Sequence, residues 1–303
     1  MKRILLIMGP TASGKSALAL ELAERVGGEI VNADSMQVYR DLRVLTARPS
    51  AEEEARAPHH LYGHVDAAER YSVGRWQVDA LAAITAILAR GHVPIVAGGT
   101  GLYFSALTLG LAEMPAPDPE LRAALQDKLV ALGPQALHAE LAGIDPDTAA
   151  RLSPHEGRRL VRALEMALGA GRSITDFQAE TIPPLRADEW LGVALTPDRA
   201  SLYDAINARF QAMLAAGALD EARGLAARGL DPELPAMKAH GAPALMAHLR
   251  GDLSLPEAAA IAQRDTRRYA KRQFTWIANQ MTDWPRVAES SLEERCARVT
   301  ALW

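Results

Sequence analysis

Cysteine is almost absent from this chain of 303 residues. Cys296 stands alone, which excludes an internal disulfide framework and any CxxC zinc site. No apolar run approaches the roughly 20 residues that a membrane span requires. A dominant charge is missing too: 33 Lys and Arg against 37 Asp and Glu leave a net charge of −4. The chain as a whole is therefore not a polycation. Nucleic acid stays open as a partner, because binding depends on where positive charge sits rather than on its sum. Met1-Lys2-Arg3 leads straight into an apolar run, leaving no room for a cleavable leader. These absences point to a cytoplasmic protein with no membrane partner. What is present is an ordinary soluble balance, 49% apolar and 23% charged, on a chain long enough for a large core with a smaller attachment.

The first 110 residues alternate short apolar runs with helical segments, the pattern of a parallel sheet flanked by helices. Ile4–Met8, 29–33 and 93–97 read as strands; 16–26 and 74–90 read as helices closed by Gly27 and Gly91. From about Pro115 to Pro184 strand candidates vanish. Asp118-Pro119 and Asp145-Pro146 are caps followed by first-turn prolines, and Ser153-Pro154-His155-Glu156 has the form of a capping box. A late strand at 191–196 and further helices follow, the last long one starting at Ser254-Leu255-Pro256-Glu257. The expected fold is α/β, a P-loop NTPase-like parallel sheet with an all-helical insertion. Residues 1–114 plus 188–303 would form the core and 115–187 the insertion.

"GPTASGKS", residues 9–16, sits between the first strand and the first helix. It fits G-x-x-x-x-G-K-[ST], in which backbone N–H groups at the positive end of a helix cradle phosphates. Lys15 adds a point charge, and the Ser16 hydroxyl can join the coordination shell of Mg2+. P-loop NTPases also need a strand ending in an acidic residue to hold the metal. Here "HVPIVAGG" ends in Gly98-Gly99 instead, which shifts weight from ATP hydrolysis to chemistry in which a diphosphate departs whole. In "NADSMQVYR", Asp34 emerges beyond a strand's carboxyl end, where ligands of open α/β sheets gather. There it is a general base or substrate anchor, or else caps the next helix. Gln37 carries an amide able to read a base edge. In "GGTGLYFSAL", glycines allow backbone to approach a ligand closely, and Thr100 offers a hydroxyl at the same edge.

In this order, "GPTASGKS", "NADSMQVYR" and "GGTGLYF" resemble three blocks of the tRNA dimethylallyltransferase (tRNA isopentenyltransferase) family in its bacterial form. The resemblance continues through "APHHLYGH" (57–64), "RRLVRALE" (158–165), "RFQAML" (209–214) and "RRYAKRQFTW" (267–276), covering nearly the whole chain. It implies transfer of a dimethylallyl group from dimethylallyl diphosphate to N6 of the adenine just 3′ of the anticodon. N6-dimethylallyladenosine and diphosphate are the products, Mg2+ is the cofactor, and a monomer acts on the tRNA anticodon stem-loop. Gly9, Pro10, Thr11, Ala12, Ser13, Gly14, Lys15 and Ser16 would hold the diphosphate, with Ser16 on the metal. Asp34 would be the base, Thr100 would support the diphosphate or the reacting base, and Arg209 would be a second cation beside Lys15. By the same resemblance, tRNA would meet Asp34, Ser35, Met36, Gln37, Thr100, Arg122, Arg158, Arg159, Leu160, Val161, Arg162, Arg267 and Lys271.

The basic clusters at 158–162 and 264–272 also admit a plainer reading, as solvated faces paired with Glu156, Glu165 or Asp265. His59, His60 and His64 have metal-like spacing, but a structural role is expected of them. "KAHGAPAL" departs from the family, with Ala242 and Pro243 where a tyrosine and a basic residue are usual. Arg158 stands where glutamine is common. The rivals are a small-molecule or nucleoside kinase, which would consume ATP, a prenyltransferase acting on free AMP, and a non-catalytic RNA-binding adaptor, which would leave Asp34 without a task.

Overall fold

The computed structural model describes residues 3–116 and 118–303. Met1 and Lys2, on which the leader-free start rests, lie outside them, as does Pro117 of the expected insertion. The first strand, β1 (Ile4–Met8), is buried throughout, as a short apolar run must be when helices cover both faces. The phosphate-loop stretch leads into α1 (Lys15–Val26), which buries Leu18, Leu20 and Leu22 and stops at left-handed Gly27. Then come β2 (Gly28–Asn32), α2 (Ala51–Arg56), β3 (His59–His60), α3 (Val73–Ala89), β4 (Val93–Gly98) and α4 (Gly101–Thr108). The predicted strands and helices of this stretch are present within a residue or so of their expected limits. The edge strand β3 was not foreseen, because two residues carry no periodicity.

The chain divides into two compact units, 109–184 and the remainder. The junction lies at 109 and 184 rather than at 115 and 187. There the Leu185 N–H donates to the Leu107 carbonyl, so the chain rejoins the sheet unit where it left it. Within 109–184 lie α5 (Pro119–Leu132), α6 (Pro134–Ile144), α7 (Pro146–Arg151), α8 (Gly157–Leu164) and α9 (Ile174–Ala179). Asp118 and Asp145 cap α5 and α7 as predicted. Only half of the Ser153 box forms: the Glu156 carboxylate accepts the Ser153 N–H at 2.9 Å, but α8 starts later, at Gly157, and the Ser153 hydroxyl accepts from the His155 N–H within a turn. Leu125, Leu137, Leu141, Leu160 and Leu164 make this unit's own core.

The sheet unit continues with β5 (Trp190–Leu195), α10 (Arg199–Ala215), α11 (Ala218–Ala227), α12 (Ala242–Arg250), α13 (Leu255–Gln280), β6 (Arg286–Val287) and α14 (Leu292–Leu302). α13 starts where expected, and Ser254 and Glu257 form a capping box there. The strands run parallel in the order β3-β2-β4-β1-β5-β6. Chain-adjacent β1 and β2 are thus separated by β4. Their carboxyl ends, at Met8, Asn32 and Gly98, open on one edge, the place where such sheets bind ligands.

Candidate active site

The loop between β1 and α1 passes twice through the left-handed region. Gly14 adopts φ 83° and Ala12, which is not glycine, φ 63°. A side chain in that region costs energy, and such strain concentrates where a ligand uses the backbone. The Ser13 hydroxyl is buried without a hydrogen-bond partner, so the loop encloses an unsatisfied polar group. The Lys15 ammonium rests 3.4 Å from the Pro10 carbonyl. Burial draws its pKa down to about 8, opposed by the Asp34 charge and assisted by the nearby Arg209 cation.

Asp34 lies two residues past the end of β2, and Asn32 aims it. The fully buried Asn32 side chain accepts the Asp34 N–H and donates to the Asp34 and Leu61 carbonyls. The Asp34 carboxylate accepts the Met36 N–H at 2.9 Å through one oxygen. A turn follows rather than a helix, so the capping alternative falls. Thr100, at the end of β4, accepts the Ser35 N–H at 2.9 Å and donates its own backbone N–H to the Ala33 carbonyl. It supports the Asp34 segment through the backbone.

The glycines of "GGTG" serve the protein rather than a ligand. A Cβ at Gly98 would collide with the Ala33 carbonyl, at Gly99 with the Gln273 amide, and at Gly101 with the Trp276 ring. Gln37 also departs from its expected role. Its amide nitrogen donates to the Thr46 and Ala47 carbonyls at 2.9 Å and its side chain is buried, so it fastens a loop instead of reading a base through its N–H groups.

Lys15, Asp34 and Arg209, which lie far apart in sequence, share one field. Burial lowers the Arg209 pKa and the Asp34 charge raises it. The same carboxylate helps burial to raise the hydroxyl pKa values of Tyr62, Tyr103 and Tyr269. His240 joins this surround, its ring 4.6 Å from that of Tyr269. Burial, then Arg272, lowers its pKa, while Asp34 acts against them. Tyr103 stacks on Trp76 at 4.0 Å. The sequence reading passed over these aromatics, although "GLYF", "APHHLYGH" and "RRYAKRQFTW" contain three of them.

Of the residues assigned to RNA, Leu160 and Val161 are buried in the helical unit's core, so their side chains are withdrawn from any interface. Arg122 and Arg162 both pair with the buried Glu165, Arg159 pairs with Glu156, and Arg264 and Arg268 pair with Asp265. These cations are thus paired as the plainer reading has it, although Arg122, Arg159, Arg264 and Arg268 remain exposed. Arg267 donates to Asn207 of α10, which ties it to helix packing. Arg158 and Lys271 are exposed. The histidines go separate ways: His59 to the Ala57 carbonyl, His60 to Glu29 and His64 to Tyr71.

A family model described as IPP transferase matches residues 37–280, and one described as isopentenyl transferase matches residues 2–62. The chain belongs to the IPP transferase family. It is 56% identical over 292 residues to the tRNA dimethylallyltransferase of Nitrobacter hamburgensis, covering 95% of this chain and 92% of the relative. With that of Maricaulis maris it shares 52% over 302 residues, 100% of this chain and 97% of the relative. Among solved structures, a full-length tRNA isopentenylpyrophosphate transferase from Bacillus halodurans matches at TM-score 0.72 and 34% identity, covering 100% of this chain and 95% of the other. A eukaryotic dimethylallyltransferase captured acting on tRNA matches at TM-score 0.83 and 29% identity, covering 100% and 78%. As an IPP transferase, the chain has its phosphate loop, Asp34 and Thr100 on one sheet edge.

Proposed function

We propose that this chain transfers a dimethylallyl group from dimethylallyl diphosphate to N6 of the adenine just 3′ of the anticodon in tRNA. One observation carries the reading: a carboxylate, Asp34, shares an electrostatic field with two cations, Lys15 and Arg209, at the edge that bears the phosphate loop. The curated relatives named above support it. C1 of the allyl group is the electrophile. As its bond to the diphosphate oxygen breaks, negative charge grows on the leaving group, and the loop N–H groups, Lys15 and Arg209 stabilise it. The N6–C1 bond forms on the opposite face, and Asp34 takes the N6 proton. Thr100 and Asn32 hold the Asp34 segment in place. The adenine must leave its stack to enter this edge.

The donor set suits magnesium, which favours a few hard oxygens together with substrate phosphates and water. Ser16 offers a hydroxyl in the first turn of α1, and no His, Cys, Asp and Glu cluster suited to a metal occurs among the described residues. Bound there, the ion would neutralise charge on the departing diphosphate. Arg158 on the helical unit and Lys271 on α13 supply exposed positive charge for RNA phosphates. No described helix is long and apolar enough to cross a membrane. We propose that the enzyme acts in the cytoplasm as a monomer.

The test is label transfer. With magnesium, allyl-labelled donor and unmodified tRNA, label enters the RNA, pyrophosphate is released and ATP is dispensable. ATP turnover without prenylated nucleoside overturns the reading in favour of a kinase, which the Gly98-Gly99 strand end argues against.

A further inference from the structure

Gln273 is 3% exposed, on α13, far in sequence from the phosphate loop, Asp34 and Thr100. Its Oε1 accepts the Thr11 N–H of the phosphate loop at 2.9 Å, and its Nε2 donates to the Gly99 carbonyl at 2.7 Å. The two partners fix the orientation of the amide, since one can only donate and the other only accept. Gly99 has no side chain where a Cβ would strike this amide. The peptide that joins Gly99 to Thr100 then passes the connection on, because the Thr100 N–H donates to the Ala33 carbonyl at 3.1 Å. Ala33 immediately precedes Asp34. A chain of hydrogen bonds thus runs from the loop proposed to hold the leaving group to the backbone that carries the proposed base, through one buried side chain.

We infer that Gln273 is a positioning residue that sets the phosphate loop against the Asp34 rim. In-line displacement needs both sides of the reacting carbon fixed, and a misplacement near 1 Å costs about 10²-fold in rate. Peptides bonded at both ends are polarised and stiffened, which suits a spacer between two reacting groups. The inference rests on the proposed prenyl transfer for its meaning in catalysis. Its statement about the loop can be read without an acceptor.

The experiment uses Gln273→Met, which keeps the length and loses both hydrogen bonds, and Gln273→Glu. Thermal unfolding of each variant is followed beside pyrophosphate titration with magnesium and single-turnover transfer. Gln273→Met is expected to weaken magnesium pyrophosphate about fivefold, as loss of one loop hydrogen bond implies, and to slow transfer about 10²-fold in the fully folded fraction. Gln273→Glu is expected to be slow when ionised, because its carboxylate faces the Gly99 carbonyl. It recovers as pH falls, because the protonated acid accepts and donates as the amide does. A merely structural glutamine would lower the melting temperature of both variants and give no recovery in acid. Wild-type pyrophosphate affinity and wild-type transfer in both variants overturn the inference. Weakened pyrophosphate binding in the variants, with no transfer even by the wild type, leaves the loop assignment standing and refutes the prenyl-transfer reading instead.

Discussion

The strand β2 carries a carboxylate near each end, and the two are treated in opposite ways. Glu29, near the amino end, is 3% exposed and saturated: Arg90 reaches one oxygen at 2.7 Å, His60 lies 2.6 Å from the same oxygen, and His92 lies 2.6 Å from the other. Arg90 chiefly, with both histidines, holds the Glu29 pKa down to about 2 against the effect of burial. Asp34, just beyond the carboxyl end, accepts one backbone N–H and is surrounded by cations that reach it through space. Charge that serves structure is matched by direct partners. Charge that the proposed mechanism uses has its direction fixed by backbone bonds and is left without a direct cationic partner among the described residues.

The sharpest break of that contrast is Asp34→Ala. Transfer should fall by at least about two orders of magnitude, the usual worth of a positioned base, while tRNA affinity and the melting temperature hold. Unchanged single-turnover rates would remove Asp34 as the base. Glu29→Gln should do the reverse, costing about 2 kcal/mol of stability in chemical denaturation, because it leaves Arg90 without a charged partner, with unaltered transfer per folded molecule. A loss of transfer at full stability would erase the distinction between the two ends.

Glu29 and Lys15 predict two pH responses. Because the folded pKa of Glu29 is depressed, its stabilisation is complete above the ordinary carboxylate range and disappears as pH falls toward about 2. The acid limb of the unfolding midpoint should flatten in Glu29→Gln. Lys15 titrates near 8 in the unliganded enzyme, so kcat/KM for the diphosphate donor should decline above that pH, by up to about tenfold per unit. A profile flat to pH 10 would contradict the lowered pKa of this lysine. The smallest effect is expected from charge reversal of Lys271, which should weaken tRNA binding and reduce the salt slope by roughly 0.7 to 0.9. Reversal of Arg267 should also loosen the contact with Asn207, lowering the melting temperature where Lys271 leaves it unchanged.

The donor side was legible because it is local. Eight consecutive residues specify the loop, and the flanking strand and helix announce themselves by apolar run and glycine stop. The proposed acceptor side draws on segments from 32–37, 98–101 and 269–276, and only its outline could be read. Asp34 and Thr100 were visible from their strand ends, whereas Gln273 looked like one residue in a basic helix. Glycine identities at 98, 99 and 101 signalled close approach without saying what approaches. Leu160 and Val161 sit between arginines, and only packing separates a core position from a contact. Glu165 illustrates the remaining gap: that one buried carboxylate would draw in both Arg122 and Arg162 depends on the meeting of α5 with the end of α8.

The most direct measurement is the mass of an unmodified anticodon stem-loop after incubation with the protein, magnesium and dimethylallyl diphosphate, with ATP omitted. The account predicts a gain of one dimethylallyl group, located on the base just 3′ of the anticodon. An unchanged RNA mass, together with phosphate release when ATP is supplied, would contradict it.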